Sequence, residues 1–283
     1  MSSWTPGPAW LFCPADRPDR YRKALIAADI VILDLEDAVK PSAREAARDA
    51  VRAMAREGAL DPDRTVLRIN GGDTQDHTHD LTLLTEVGID RVMLAKSEDP
   101  QVVEQVRRDV VLLVETPRGI ARASTLAACA NVVALMWGAD DLVAGLGGTS
   151  SRHAEGHRQG TYRDIARHAR CTALIAAKSN ELLAIDAVHM DLSDSDGLAT
   201  ECEDAVASGF DATAAIHPSQ VPTIRSAFMP TQNQVDWATR LLAHAGDDRG
   251  VTTFDGRMVD GPIYSQAERV LRLASATNPQ DGA

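Results

Sequence analysis

The sequence predicts an α/β protein of the (β/α)8 TIM-barrel class with a short C-terminal helical and hairpin extension. Two observations carry that prediction. Eight short apolar, β-branched runs recur along about 230 residues, and stretches with helical spacing lie between them. Within each run the apolar residues are successive rather than alternating, which suits a parallel sheet covered on both faces. A doubly wound open sheet would give the same alternation of elements. No Gly-x-Gly-x-x-Gly follows the first run, however, which counts against a dinucleotide-binding version.

The strand-like runs occupy residues 9–13, 30–35, 65–69, 91–94, 110–114, 132–137, 184–189 and 212–216. Helical spacing is clearest over 43–57, which follows a Pro-Ser entry, and over 162–180 and 197–208. Gly58, Gly88 and Gly209 stand where helices would end, because glycine accepts the left-handed residue that closes a helix. After the eighth unit, 231–245 reads as a helix, 251–259 with Gly256 as an extended or hairpin segment, and 263–275 as a helix before a polar tail. The chain thus divides into a barrel over 1–230 and an extension over 231–283 that packs on the barrel or on a neighbouring subunit.

Twenty-nine Lys+Arg against 41 Asp+Glu leave a formal net charge of −12. That balance excludes generic nucleic-acid binding, which needs a basic surface to displace counterions, and loose attachment to anionic membranes. Cys13, Cys129, Cys171 and Cys202 have neither CxxC spacing nor companion histidines, so free thiols in a reducing compartment are expected. No apolar run approaches the roughly 18 residues of a membrane span, and the first residues do not read as a signal peptide. The expectation is a cytoplasmic protein.

In a barrel, chemistry gathers at the C-terminal ends of the strands. Those ends read Cys13-Pro14-Ala15-Asp16-Arg17, Asp34-Leu35-Glu36-Asp37, Arg68-Ile69-Asn70, Ala95-Lys96, Glu115-Thr116, Gly138-Ala139-Asp140-Asp141, His189-Met190-Asp191 and Ile216-His217-Pro218. Every strand therefore delivers a charged or metal-capable group to one rim. Period-2 alternation puts Asp34 and Glu36 on a shared face. Glu115 and Asp141, from successive strands, are hard oxygen donors that suit Mg2+, which keeps open positions for water and substrate; a salt-bridged or capping role is the alternative for Glu115. Gly138 and Ala139 can offer backbone N–H groups to a carboxylate.

Arg68 at the end of an apolar strand needs an anionic partner, either a substrate carboxylate or enolate oxygen, or Asp34 or Glu36. Lys96 either neutralises Glu36 or reaches a ligand. His217 is a rim cap or a ligand contact. Arg17, Arg20, Arg22 and Lys23 form either a solvated face or a seat for phosphates.

Seven segments in order resemble one family: residues 11–18, Asp34-Leu35-Glu36-Asp37-Ala38-Val39, Leu67-Arg68-Ile69-Asn70, Val114-Glu115-Thr116, Gly138-Ala139-Asp140-Asp141-Leu142, Ile216-His217-Pro218-Ser219-Gln220 and residues 256–262. The resemblance is to the citrate lyase β-subunit-like (CitE-like) proteins of the HpcH/HpaI aldolase family, related to malyl-CoA and citramalyl-CoA lyases, and most of all to their stand-alone mycobacterial type. It spans nearly the whole chain. One departure stands in the first strand, Cys13-Pro14-Ala15, where the family often has Val-Pro-Gly.

The resemblance implies a barrel holding Mg2+, or Mn2+, through Glu115 and Asp141, with Asp34, Glu36, Asp37 and Lys96 around them. It implies a substrate seat made by Arg68, Gly138, Ala139 and Asp140, and catalytic roles for Arg68, Glu36 and Asp260, the last supplied across a subunit interface of a homotrimer or hexamer. Arg17, Arg20 and His217 are the implied contacts for coenzyme A. The implied reaction is reversible cleavage of a β-hydroxyacyl-CoA, citramalyl-CoA first, into acetyl-CoA and a 2-keto acid such as pyruvate. Other readings are a citryl-, malyl- or hydroxymethylglutaryl-CoA lyase, a malate-synthase-like or thioesterase activity, an aldolase on free keto acids, and a non-catalytic subunit or ligand-sensing barrel.

Overall fold

A computed structural model describes residues 4–246 and 249–276. The eight apolar runs form eight parallel strands, β1 (Ala9–Pro14), β2 (Ile30–Asp34), β3 (Thr65–Ile69), β4 (Arg91–Leu94), β5 (Asp109–Val114), β6 (Val132–Trp137), β7 (Leu183–Asp186) and β8 (Ala212–Ala215). They pair in sequence order, and β1 also pairs with β8, so the sheet closes on itself as a (β/α)8 barrel. Between them run α1 (Pro18–Ala27), α2 (Arg44–Arg56), α3 (Gln75–Leu84), α4 (Pro100–Gln105), α5 (Pro117–Ala121), α6 (Ala123–Ala127), α7 (Ala139–Gly145), α8 (Asp164–Ser179) and α9 (Ser195–Ser208). After β8 come α10 (Val221–Phe228), α11 (Gln232–Ala245), β9 (Thr252–Phe254), β10 (Arg257–Val259) and α12 (Gly261–Ala276).

The strand ends shift by at most one residue from the sequence reading except at β7, which stops at Asp186, three residues before His189. Gly58 and Gly209 close α2 and α9 with positive φ (65° and 111°), as expected of C-terminal glycines. Gly88 does not act this way: α3 stops at Leu84, and Gly88 lies beyond it outside the left-handed region.

The interior of the barrel is a cluster drawn from all eight strands, including Trp10, Ile32, Val66, Leu113, Met136, Ile185 and Ala214. Because side chains alternate faces along a strand, the residues two positions further on point the same way and form the next layer. Those residues are Phe12, Asp34, Arg68, Glu115, Gly138, Ala187 and Ile216, and all seven line one cavity at the C-terminal end of the barrel. The site is thus the barrel's own packing pattern carried one layer past the core.

The rim of β3 is fixed from outside. Asp80 on α3 is fully buried and accepts from the Asn70 backbone N–H (2.9 Å), the Asn70 amide (2.7 Å) and Arg48 Nε (2.8 Å). These bonds seat Asn70 immediately after the strand that carries Arg68.

The chain divides into two compact units, one ending at Ile224 and one beginning at Arg225. The second unit has its own core, in which Ala238 and Leu241 of α11 meet Val259, Tyr264 and Ala267. Its hairpin turns at Asp255-Gly256, both with positive φ (48° and 74°), the conformation a two-residue hairpin loop requires. Thr231 and Gln234 form a reciprocal capping box at the start of α11. The polar tail beyond residue 276 lies outside the described residues.

Asp80→Ala would strand the buried Arg48 and Asn70 donors. It should cost about 3–5 kcal/mol of unfolding free energy, read from urea denaturation with an unchanged m-value. A loss below about 1 kcal/mol would contradict the role given to this network.

Candidate functional site

The cavity has a volume of about 320 Å³ and two unlike halves. One half is acidic. Asp34, the last residue of β2, and Arg68, its register partner on β3, meet in a bidentate ion pair with Nε···Oδ1 2.6 Å and Nη2···Oδ2 2.5 Å. Arg68 Nη1 also lies 3.2 Å from Glu36 Oε2, and its guanidinium stacks 4.8 Å over the Phe12 ring. The internal salt bridge left open by the sequence is therefore formed, and it involves both candidate carboxylates. Asp34 further caps the turn after β2 by accepting from the backbone N–H groups of Glu36 (2.9 Å) and Ala38 (3.0 Å).

Lys96 sits just past β4 with φ of 50°, in the left-handed region that a side chain with a Cβ rarely adopts. That turn aims its backbone N–H at Glu115 Oε1 (3.1 Å) while its ammonium bonds to Glu36 and stands 3.4 Å from Asp37. Neutralisation of Glu36, one of the two sequence readings for Lys96, is what the fold delivers.

Glu115, two residues past the core residue Leu113, is 3% exposed. Burial pushes its pKa up from 4.5 to about 8; Arg68 opposes the rise, and Asp141 and Glu36 add to it. Burial also raises Glu36, against the pull of Arg68 and Lys96. Gly138 fits closely against Glu115, since a Cβ there would stand 2.7 Å from Glu115 Cβ and 2.9 Å from Oε2. Gly138 then starts α7, placing exposed Asp140 and Asp141 in its first turn. The Gly138 N–H already donates to Val114 O (3.3 Å), so the first amide free for a ligand at this helix start is that of Ala139.

The other half is apolar: the charged or metal-capable groups expected after β1, β7 and β8 do not line the cavity. Phe12 lies in the second half of β1, Ile216 immediately follows β8, and Ala187, Val188 and Met190 follow β7. His189 turns away from the cavity and its Nδ1 bonds to Glu201 (2.9 Å); Asp191 caps its own turn through Ser193. His217 caps the short turn at Pro218–Gln220, bonding to Ser219 Oγ at 2.8 Å. Arg17 and Arg20 are exposed at the start of α1, Arg17 paired with Asp19 at 2.9 Å.

The barrel thus brings together Asp34, Glu36, Asp37, Arg68, Lys96, Glu115, Gly138, Ala139, Asp140 and Asp141. Asp260 belongs to the second unit, half-buried behind β10, where its carbonyl accepts from the N–H groups of Ile263 and Tyr264 at the start of α12.

A model of the HpcH/HpaI aldolase/citrate lyase family matches residues 9–218. The chain belongs to the HpcH/HpaI aldolase/citrate lyase family. A citrate lyase subunit beta-like protein of Mycobacterium tuberculosis is 51% identical over 273 residues, covering 95% of this chain and 96% of that protein. The mitochondrial citramalyl-CoA lyase of Rattus norvegicus is 26% identical over 306 residues, covering 96% and 87%. Among solved structures, that of CitE from Mycobacterium tuberculosis in complex with magnesium, acetoacetate and coenzyme A superposes with a TM-score of 0.88 at 50% identity, covering 95% of this chain and 98% of that one. Within the HpcH/HpaI family this chain is an enzyme of the carbon–carbon lyase class.

Sequence reasoning missed the apolar half of the cavity. Its signal was present in the period-2 pattern, which places Phe12, Ala187 and Ile216 one layer above Trp10, Ile185 and Ala214. Polar residues at the strand ends drew attention from it.

Glu115 gives the metal-free protein a defined pH response. The unfolded chain loses this proton near pH 4.5, whereas the folded chain keeps it until about pH 8. Its contribution to stability is therefore whole below 4.5 and lost as pH rises through about 8. Glu115→Gln cannot ionise, so its thermal midpoint in metal-free buffer should rise relative to the parent between about pH 5 and about pH 9. A pH-independent difference would contradict the burial of an ionisable Glu115.

Proposed function

We propose that the chain is a Mg2+-dependent lyase that reversibly cleaves a β-hydroxyacyl-CoA into acetyl-CoA and a 2-keto acid, with citramalyl-CoA, which yields pyruvate, as its thioester. The observation that carries this reading is the division of the cavity into an acidic half with one arginine and an apolar half. A monocarboxylate keto acid needs one anion seat and an apolar surface for its methyl group. Among the described residues Arg68 is the only cation lining the cavity, so the second charge of a dicarboxylate such as oxaloacetate would rest on the metal. The citramalyl-CoA lyase named among the relatives, and the magnesium and coenzyme A in one complex and magnesium and pyruvate in another of the mycobacterial CitE, support the same reading.

The residues present fit Mg2+. Glu115 is a buried carboxylate whose ionisation is opposed by its surroundings, and Asp141 adds a second hard oxygen donor beside it. Among the described residues no group of three His, Cys, Asp or Glu is placed to enclose an ion. Two carboxylates with the remaining positions left to water and substrate is the arrangement Mg2+ accepts, and Mn2+ has the same preference for oxygen. Held by Glu115 and Asp141, the ion would supply Lewis-acid stabilisation of the negative charge on the substrate's hydroxyl oxygen as that group gives up its proton ahead of carbon–carbon cleavage.

The chain's own groups divide the remaining work. Arg68 commits two N–H groups to Asp34 and points a third nitrogen at Glu36, so at least two of its five N–H donors remain for the oxygen that becomes the ketone. Glu36, tied to both Arg68 and Lys96, orients these cations rather than moving a proton. The Ala139 amide, with Asp140 following it, receives the keto-acid carboxylate. Asp260, supplied by a neighbouring copy in a trimer or hexamer, protonates the acetyl-CoA enolate carbon in cleavage and takes a methyl proton in condensation. Arg17 and Arg20, with His217 after the neighbouring strand β8 at the same rim, receive the phosphates of coenzyme A. No described helix is long and apolar enough to cross a membrane, and we place the enzyme in the cytoplasm.

A coupled keto-acid assay of the purified chain with citramalyl-, malyl-, citryl- and hydroxymethylglutaryl-CoA, with Mg2+ and with chelator, tests the reading. Citramalyl-CoA should be cleaved fastest and only with the metal; silence toward all four would overturn it. Asp260→Ala should lower kcat by about 10²-fold or more while leaving Mg2+ and pyruvate binding intact, and undiminished turnover would remove Asp260 from the mechanism.

A further inference from the structure

Between Gly145, which ends α7, and Asp164, which begins α8, the chain runs through residues 146–163 with one isolated antiparallel bridge, Arg152 to Tyr162. A connection of that length without regular structure is uncommon in a barrel unit and is usually functional. This one folds back on itself through backbone bonds, among them His153 N–H to Thr161 O (3.0 Å) and Arg163 N–H to Ser151 O (2.8 Å), and side chains tie it to the elements around it. Buried Ser151 donates to Asp140 Oδ1 at 2.6 Å. Arg152 stacks 3.9 Å over the Tyr162 ring, donates to Gly160 O (2.8 Å) and forms a two-pronged ion pair with Glu201 of α9, one prong at 3.0 Å.

The network continues to the cavity wall. Glu201 Oε2 is 2.9 Å from His189 Nδ1, and because a carboxylate only accepts, Nδ1 carries the proton of this bond. His189 Nε2 stands 3.5 Å from Asp194 Oδ2 without forming a hydrogen bond, so Glu201 is the ring's hydrogen-bonded tether among the described residues. The His189 carbonyl is fixed from the other side by the Gln220 amide (2.7 Å), whose oxygen accepts from the N–H of Ile216 (2.9 Å). His189 stands between Val188 and Met190, and those two, with Ile216, belong to the apolar half of the cavity. A half-buried chain of polar and charged bonds thus holds the backbone that carries the apolar wall.

We propose that segment 146–163 is the specificity device of this site, with Arg152 as its positioning residue: through Glu201 and His189 it sets where Val188 and Met190 stand, and so how large a keto-acid substituent the cavity accepts. The proposal rests on the reading that the cavity holds a 2-keto acid. One methylene is worth roughly 10–200-fold in an apolar pocket, so a small displacement of this wall suffices to change selection.

Pyruvate and 2-ketobutyrate, which differ by one methylene, are the probes. Their dissociation constants, measured by calorimetry with Mg2+ on the full chain, give a ratio that Arg152→Ala should shift about tenfold toward the larger acid. Mg2+ affinity should stay at the parental value, and kcat for the pyruvate-derived thioester should change less than the KM of either substrate. His189→Ala should shift the ratio in the same way. His189→Asn, whose amide N–H can take the place of Nδ1–H, should restore the parental ratio. Should Arg152→Ala not fold, Glu201→Gln carries the same expectation. An unchanged ratio, or equal weakening of both acids, overturns the proposal. A parent that binds both acids but cleaves no thioester refutes the proposed reaction and leaves the ratio to decide the role of Arg152; a parent that binds neither acid overturns both.

Discussion

Arg68 and Asp34 leave adjacent strands at the same register and meet in a bidentate ion pair whose side chains are almost closed to solvent. Removing one partner of such a pair leaves an uncompensated buried charge, at a cost of about 3–5 kcal/mol. Everything at this end of the barrel is arranged around it. Asp34 turns the chain after β2 through two backbone bonds, which brings Glu36 back to Arg68 and within reach of Lys96. Lys96 in turn presents its N–H to Glu115, and Glu115 fits against a residue without a Cβ at the start of α7.

The pair does not balance the charge of the site. Asp34, Glu36 and Asp37 are paired with Arg68 and Lys96, and the excess falls on Glu115, which is 3% exposed and has Asp141 as a further carboxylate neighbour. A protein selected for stability alone would place a cation or an apolar residue there. Retaining an ionisable group whose ionisation is opposed fits the proposed metal site, where a divalent ion would supply the missing positive charge. The apolar wall opposite keeps the same cavity from becoming a general anion or cation trap. It gives one side of a ligand a surface that charge cannot satisfy.

Much of this was legible in the sequence because barrels write their sites in a simple pattern. Eight apolar runs and the residues closing them located Asp34, Arg68, Glu115 and Asp141 before any coordinates, and the motif order named the family. The remainder depended on partners distant in the chain. Whether Arg68 met a ligand or a carboxylate turned on register between β2 and β3. Gly88 looked like a helix end, yet α3 stopped earlier. His189 had the residue type of a ligand, but β7 ended three residues sooner, and the ring was claimed by Glu201, twelve positions away on α9. No local pattern announces such a pairing.

The central claim is that the excess charge centred on Glu115 is held for a divalent cation. Calorimetric titration of Mg2+ into the metal-free protein, repeated in buffers of different ionisation enthalpy, measures it through the protons displaced. With Glu115 protonated up to about pH 8 in the free protein, binding at about pH 7 should release close to one proton per ion. The release should fade well above pH 8 and vanish in Glu115→Gln. Binding without proton release at about pH 7, or no binding at all, would contradict the account.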